Sequence, residues 1–259
     1  MKYDFSDKSI AITGAAGGLG TLLSEFFVTS GARVFGLDKN VEVETMSEKL
    51  GGQGQRFRGV AIDLGDGAAV QQAFDNFGEV DILINMAAVS SRPTMKKTDP
   101  ESWQEDIAAN LNAAYHCARS VLPGMSERRR GVIVSIGSAN GTIGLGEPSY
   151  SAAKAGMVSL TRSIAIEYGR YGIRCNIIVP GTIRTPFWDK RKEKDPHVLD
   201  SLLKWYPLGR IVDPQEMIQT IAFLASEASS AITGASLPVD CGLTAGNLVM
   251  ARELLVEEL

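Results

Sequence analysis

Two hydrophobic patterns alternate along the chain. Short apolar runs rich in β-branched residues predict strands at residues 9–13, 33–37, 57–62, 80–85, 132–136 and 173–179. Longer stretches with apolar residues at helical spacing predict helices at residues 19–29, 68–77, 103–122 and 150–168. Strands that alternate with helices imply right-handed crossovers. The pattern therefore predicts an α/β fold, a doubly wound parallel sheet with helices on both faces, in a single domain over residues 1–259.

Two segments depart from this alternation. Residues 182–210 are charged and aromatic, and they separate the sixth predicted strand from a helix that should begin at Pro214, behind the N-capping residue Asp213. Because long insertions in compact domains often cover a ligand, we expect a substrate lid here, closed by Phe187, Trp188 or Trp205. The C-terminal tail, residues 243–259, is apolar enough to need a partner surface.

Composition narrows the classes of function. The chain has 259 residues, of which 44% are hydrophobic and 22% charged, as in an ordinary globular protein. A net charge of −4 gives no reason to expect a nucleic acid or an anionic membrane as partner. Cys117, Cys175 and Cys241 are far apart, which argues against a disulfide framework, and we expect no metal site. We find no signal-peptide pattern and no apolar run that could span a bilayer, so we expect a cytoplasmic protein.

A glycine-rich turn follows the first predicted strand. In Thr13-Gly14-Ala15-Ala16-Gly17-Gly18-Leu19-Gly20, the glycines remove side chains where the backbone would approach a pyrophosphate. The next helix offers the free N–H groups of its first turn to the same anion. Taken alone, this segment could equally be a tight turn without a ligand.

Polar residues at the ends of further strands favour the ligand. Asp38 ends the second strand, where a carboxylate can bind a ribose 2′-hydroxyl. Asp63-Leu64 and Asn85-Met86-Ala87-Ala88 end the third and fourth strands, at the sheet edge where such folds bind ligands. We predict NAD rather than NADP, because Asp38 would repel a 2′-phosphate and Gly17 supplies no cation. Lys39 is the argument against this choice.

The segment Ser149-Tyr150-Ser151-Ala152-Ala153-Lys154 sets a phenol and an ammonium one helical turn apart. An isolated pair of this kind is ordinarily a buried tyrosine beside a lysine whose stem packs on apolar surface. Beside a dinucleotide the pair has a use, because oxidation of an alcohol needs a base for the hydroxyl proton. A cation about 4 Å away lowers a phenol pKa by about three units at a dielectric constant near 20. We therefore expect Lys154 to bring the pKa of Tyr150 toward working pH.

Together these motifs resemble the short-chain dehydrogenase/reductase family, classical type, over essentially the whole chain. The glycine turn, Tyr150-x-x-x-Lys154 and Pro180-Gly181-x-x-x-Thr185 are similar to the family's three motifs. Asn85-Met86-Ala87-Ala88 departs from the usual Asn-Asn-Ala-Gly, which affects the packing of that turn. The resemblance implies a Rossmann-type fold and a catalytic set of Ser138, Tyr150, Lys154 and Asn110, with Ser138 bonded to the substrate oxygen and Asn110 holding a water. It also implies NAD contacts from Gly14, Gly18, Leu19, Gly20, Asp38, Asp63, Leu64, Asn85, Ala87, Tyr150, Lys154, Pro180, Gly181, Ile183 and Thr185.

The hypothesis is an NAD-dependent oxidoreductase that transfers a hydride between the cofactor and a secondary alcohol or hemiacetal. A sugar or polyol is the leading substrate, with Asn140, Glu147, Arg184 and Trp188 as candidate substrate-binding residues. A 3-oxoacyl thioester reductase or a hydroxysteroid dehydrogenase is the runner-up. A nucleotide-binding regulatory protein without turnover is the alternative from another class. Family members pair the helices that correspond to residues 103–122 and 150–168, so the resemblance implies a homotetramer.

Overall fold

Parallel strands form the central sheet. The computed structural model describes residues 3–50, 56–90, 93–185 and 197–255. Within these residues seven strands, all parallel, pair in the order β3-β2-β1-β4-β5-β6-β7. They are β1 (Ser9–Thr13), β2 (Arg33–Asp38), β3 (Phe57–Ala61), β4 (Ile82–Asn85), β5 (Gly131–Ile136), β6 (Ile173–Pro180) and β7 (Ser236–Val239). The order reverses between β1 and β4, which confirms the doubly wound fold.

Helices cover both faces of this sheet. They are α1 (Gly18–Thr29), α2 (Met46–Lys49), α3 (Gly67–Asp75), α4 (Pro100–Ile107), α5 (Ala113–Arg128), α6 (Pro148–Tyr168), α7 (Val198–Leu203), α8 (Pro214–Ala225) and α9 (Leu248–Leu255). Phe27 of α1 and Ile221 of α8 belong to the core layer that contains Ile10. Ala11, the next residue of β1, belongs to the opposite layer with Cys117 of α5. Successive strand residues therefore enter different layers, and the strands are apolar throughout.

Two helices begin at the Asp-Pro pairs. The Asp99 carboxylate accepts a hydrogen bond from Ser102 N (2.8 Å), and the Asp213 carboxylate accepts one from Gln215 N (2.8 Å). Glu216 completes the capping box at α8 by accepting from Asp213 N at 2.9 Å. None of the helices that the structure describes is long and apolar enough to cross a bilayer.

The structure differs from the predicted pattern in two places. The helix predicted at residues 103–122 is interrupted by a π-turn at Ala108–Asn112, which joins α4 to α5. A single π-turn inside a helix leaves helical structure on both sides of it, so the pattern predicts one continuous helix. The strand β7 was not predicted, because it is short and contains Pro238, which the edge of a sheet tolerates.

Candidate active site

The turn between β1 and α1 is so tightly folded that it requires glycine at two positions. Gly14 adopts φ +72°, and its N–H bonds to Leu37 O (2.8 Å) on β2. A Cβ on Gly20 would lie 2.1 Å from Gly14 O, and a Cβ on Gly14 would lie 3.0 Å from Ala87 Cα. No side chain caps the N-terminus of α1, so its first N–H groups remain available to an anion. These features fit a dinucleotide pyrophosphate.

Asp38 stands beside this turn, fixed by two backbone groups. Its carboxylate accepts from Ala16 N (2.9 Å) and from Asn40 N (2.9 Å). Lys39 instead pairs with Asp63, at 3.1 Å, with both side chains mostly exposed. A hydrogen bond from Gly65 N–H lowers the pKa of the Asp63 carboxyl, and the hydrogen bond from Lys39 lowers it further. The cation that argued for NADP is therefore bound to another carboxylate.

The fourth strand ends at the same edge. Thr13 Oγ1 accepts hydrogen bonds from Met86 N (2.9 Å) and Ala87 N (3.0 Å), so the unusual turn is tied to β1. Asn85 is buried, and its Nδ2 donates to Ala114 O at 3.4 Å. His116 of α5 has Nδ1 3.0 Å from Leu64 O, on the loop after β3. The ends of β1, β2, β3 and β4 thus lie together at one edge of the sheet.

Tyr150 and Lys154 lie on the first turns of α6. Lys154 is only 1% exposed, and its Nζ donates to Ile136 O (2.8 Å) at the end of β5. Nζ is 5.5 Å from the centre of the Tyr150 ring and 3.6 Å from Met157 Sδ. The helix therefore brings the partly buried phenol and the buried amine together at the end of β5, beside the end of β4.

The electrostatics of this pair differ from the expectation. Burial raises the pKa of Tyr150, Ser138 lowers it through a hydrogen bond, and the charge of Glu147 raises it again. Burial lowers the pKa of Lys154 to about 7. The expectation that Lys154 holds the pKa of Tyr150 below its usual value is wrong for the chain by itself. The reason is that burial of the phenol dominates, while Nζ of Lys154 donates to Ile136 O and burial disfavours its charged form.

A chain of polar contacts continues from Ser138. Its Oγ donates to Asn140 Oδ1 (3.3 Å) and accepts from Asn140 N (3.2 Å). Asn140 Nδ2 donates to Glu147 Oε2 at 3.2 Å, and Ser90 Oγ donates to the other carboxylate oxygen. Two of the predicted substrate residues, Asn140 and Glu147, are thus connected to Ser138.

Asn110 lies in the π-turn and is 1% exposed. Its Nδ2 donates to Val89 O (2.8 Å) and Asp106 O (2.8 Å), and its Oδ1 accepts from Val89 N (3.3 Å). Because the side-chain amide of Asn110 forms hydrogen bonds with main-chain atoms of Val89, Asn110 fixes the loop after β4. The role of Asn110 in holding a water stays a prediction.

A cavity of about 690 Å³ opens in front of Ser138. Polar groups of Ser138, Asn140, Thr244 and Asn247 face apolar side chains from three separate segments. The apolar walls are Ile143, Leu145, Leu202, Trp205 and Leu243, and the cavity also includes Pro180 and Gly181 of the predicted nicotinamide segment. Sequence reasoning missed the residues of 143–145 and 243–247 because nothing local marks them as neighbours.

The remaining candidates lie elsewhere. Ile183 forms a bridge with Val212, and Arg184 N donates to Val212 O (2.9 Å). The Arg184 side chain is exposed and does not line the cavity. Thr185 is the last residue described before the gap at 186–196, and Phe187 and Trp188 lie outside the described residues.

Known proteins share this architecture. A family model described as enoyl-(acyl carrier protein) reductase matches residues 14–244. An uncharacterized oxidoreductase of Schizosaccharomyces pombe is 39% identical over 249 residues, which are 96% of this chain and 95% of the relative. The (2S)-[(R)-hydroxy(phenyl)methyl]succinyl-CoA dehydrogenase subunit of Thauera aromatica is 38% identical over 236 residues, 89% of this chain and 94% of that protein. The crystal structure of a short-chain dehydrogenase/reductase from Burkholderia thailandensis gives a TM-score of 0.91 at 45% identity, covering 97% of this chain and 98% of its own.

The fold and the site together define an oxidoreductase that uses a nicotinamide cofactor. The chain belongs to the short-chain dehydrogenase/reductase family. Similar structures contain either form of the cofactor. A 3-oxoacyl-[acyl-carrier protein] reductase from Brucella melitensis has bound NAD, with a TM-score of 0.84, 31% identity and coverage of 92% and 91%. A gluconate 5-dehydrogenase from Burkholderia cenocepacia is in complex with NADP and tartrate, with a TM-score of 0.87, 29% identity and coverage of 95% and 98%.

Proposed function

We propose that this chain is an NAD-dependent dehydrogenase that interconverts a secondary alcohol and its ketone, with Tyr150 as the residue that accepts or returns the hydroxyl proton. The observation that carries the proposal is the Tyr150–Lys154 pair at the carboxyl end of β5, on the same edge of the parallel sheet as the glycine turn. The bound nicotinamide supplies or accepts the hydride. Ser138 orients the substrate oxygen. The protonated amine of Lys154 stabilises the phenolate form of Tyr150.

The choice of NAD rests on Asp38. Two backbone N–H groups hold its carboxylate beside the glycine turn, where it can accept from a ribose 2′-hydroxyl. A 2′-phosphate there would meet a fixed negative charge, and Lys39 is paired with Asp63. The relatives do not decide the matter, because both cofactors occur among similar structures.

The cavity favours a substrate with one apolar side. Leu202 and Trp205 provide an apolar wall opposite Ser138, which suits the body of an acyl thioester or an alicyclic alcohol. The name of the Thauera aromatica relative, a CoA-linked alcohol dehydrogenase, supports this class. A sugar or polyol is the second candidate, favoured by the polar pair Asn140 and Glu147.

A substrate screen tests the proposal. Purified protein is incubated with NAD and panels of sugars, polyols, hydroxyacyl thioesters and steroid alcohols, and NADH is measured by its absorbance. We expect turnover in at least one panel, and at least about 10²-fold less with Tyr150→Phe. If every panel is inactive in both directions, while NAD binds, a nucleotide-binding protein without turnover replaces the enzyme.

We also propose that residues 182–210 form a lid. The described part of this segment contributes Leu202, Trp205 and Tyr206 to the cavity, and Tyr206 is anchored by hydrogen bonds to Thr182 N (3.0 Å) and Oγ1 (2.9 Å). Hydrogen exchange should slow in residues 197–205 when NAD and a substrate analogue bind. Equal, strong protection with and without ligands would contradict a lid.

A homotetramer is the proposed assembly. Ile166 of α6 is 83% exposed and Tyr115 of α5 is 46% exposed, on the helices that relatives in this family pair. Met250 and Leu254 of α9 are exposed as well. Light scattering should give about four times the chain mass of 27.8 kDa, and a value at the chain mass would contradict the proposal.

A further inference from the structure

The backbone conformation of Glu147 is unusual for a glutamate. It adopts φ +52° and ψ 62°, in the left-handed region, immediately before Pro148 and the first turn of α6. Glycine or asparagine occupies such a position with less strain. Strained residues of this kind cluster at functional sites, so a reason for a glutamate here has to be found.

The local structure holds the carboxylate in place. Asn140 Nδ2 donates to Oε2 (3.2 Å), Ser90 Oγ donates to Oε1, and Glu147 N donates to Pro93 O (3.2 Å). Asn140, which lines the cavity, and Ser90, on the loop after β4, therefore orient the carboxylate, while Pro93 of the same loop fixes the Glu147 backbone. Each carboxylate oxygen has a further lone pair that can accept another hydrogen bond.

A purely structural role explains the arrangement poorly. The carboxylate would favour the helix N-terminus by its charge, but it makes no side-chain cap bond to α6. Its charge also works against the proposed reaction, because it helps to raise the pKa of Tyr150. A negative charge that hinders the base is useful if a substrate donor neutralises it on binding.

We propose that Glu147 is a specificity-determining residue that accepts a hydrogen bond from a hydroxyl on the carbon next to the reacting carbinol, so that the enzyme selects vicinal diols and rejects α-hydroxy carboxylates. This inference rests on the proposed function, with its second substrate candidate, the sugar or polyol. A diol hydroxyl bonded to Glu147 spreads the carboxylate charge and eases loss of the proton from Tyr150. A substrate carboxylate at the same place meets like charge and leaves Glu147 without its partner. The apolar wall at Trp205 accommodates the rest of the molecule.

Three matched probes test the proposal: a vicinal diol, its mono-O-methyl ether, and the α-hydroxy acid of the same chain length. In the wild type we expect kcat/KM with NAD to be at least about 10-fold higher for the diol than for the ether, since the ether leaves a polar group unpaired. In Glu147→Gln, kcat/KM for the hydroxy acid should rise at least about 10-fold, because the repulsion is removed.

The matched control is Glu167→Gln, which removes the same charge from the exposed far end of α6. It should change none of these ratios. A second readout is the pH at which oxidation of a simple secondary alcohol rises. In the part of the chain that the structure describes, Lys154 and Glu147 are charged groups near Tyr150, and the midpoint should fall in Glu147→Gln but not in the control.

Two outcomes would overturn the inference: equal kcat/KM for diol and ether in the wild type, or no gain for the hydroxy acid in Glu147→Gln. Failure of the proposed function is recognised separately, as no turnover of any alcohol. In that case equilibrium binding of the same three probes to the protein with NADH decides the inference. The order diol, ether, hydroxy acid supports it, and any other order contradicts it.

Discussion

Two halves of one sheet edge are built in different ways. At the ends of β1 and β2 the polar contacts come from backbone groups of short turns, such as Gly14 N and Ala16 N. At the end of β5 and the start of α6 they come from side chains, among them Ser138, Asn140 and Lys154, brought together by the fold. The first half offers a fixed shape to a rigid ligand. The second half offers groups whose protonation can change.

The halves also treat charge differently. In the nucleotide half, Lys39 and Asp63 form a largely exposed pair, which adds little to stability. In the reaction half, Lys154 is buried, and burial disfavours its charged form. We infer that the reaction half maintains its chemistry at the expense of stability, as functional sites often do.

Replacement of Lys154 should have the largest effect on catalysis. In Lys154→Met, kcat for alcohol oxidation should fall by more than about 10²-fold, because the cation that stabilises the phenolate is lost. The wild-type kcat/KM should rise with pH as the Tyr150–Lys154 pair loses its first proton. We expect this rise near the pKa of Lys154, which is about 7. In the variant the rise should move above the usual tyrosine range, since burial raises the pKa of Tyr150.

The control is Lys97→Met, which removes an exposed lysine far along the chain from α6. It should leave kcat and its pH profile unchanged. A residual pH profile in Lys154→Met that coincides with that of the wild type would contradict the coupling of the two groups.

Asp38→Ala should change cofactor choice by a smaller factor. The ratio of kcat/KM for NAD to that for NADP should fall by about 10- to 100-fold, because one hydrogen bond and one repulsion disappear. Steady-state kinetics with both cofactors measure it, with the exposed Asp75→Ala as control. An unchanged ratio would mean that another residue reads the ribose.

Stability should respond in the opposite direction to activity. Lys154 binds a proton with a pKa of about 7 in the folded chain and 10.5 ordinarily, so the unfolded chain holds the extra proton between these values. The contribution of Lys154 to the free energy of unfolding therefore increases as pH rises from 7 to 10.5. Lys154→Met should be more stable than the wild type by about 1 to 3 kcal/mol at about pH 6.5, and the gain should vanish near pH 10. Urea denaturation at both pH values checks this, and a less stable variant at the lower pH would contradict it.

The fold and the nucleotide half could be read from the sequence because their signals are local. The alternation of strand and helix fixes the topology, and Gly14, Gly20 and Asp38 stand directly at strand ends. The strand β7 escaped because Pro238 interrupts a run of only four residues. The π-turn at Asn110 was not predicted because helices flank it on both sides, so the pattern indicates one helix.

The reaction half could be read only in part. Tyr150 and Lys154 share one helix, so their proximity follows from spacing. Whether the pKa of Tyr150 is raised or lowered depends on burial and on Glu147, and the spacing of residues reveals neither effect. The walls at Leu145, Leu202 and Leu243 meet across about a hundred residues of chain, and nothing near each one in sequence marks it.

The role of Tyr150 is tested most directly by Tyr150→Phe, which keeps the ring and removes the hydroxyl. NADH formation and NAD binding are measured on the same preparation, with Tyr168→Phe at the other end of α6 as control. We predict that NAD binding survives and that turnover falls by at least about 10²-fold, whereas the control stays active. Near-normal turnover in folded Tyr150→Phe would show that Tyr150 does not transfer the proton, and the proposed mechanism would be wrong.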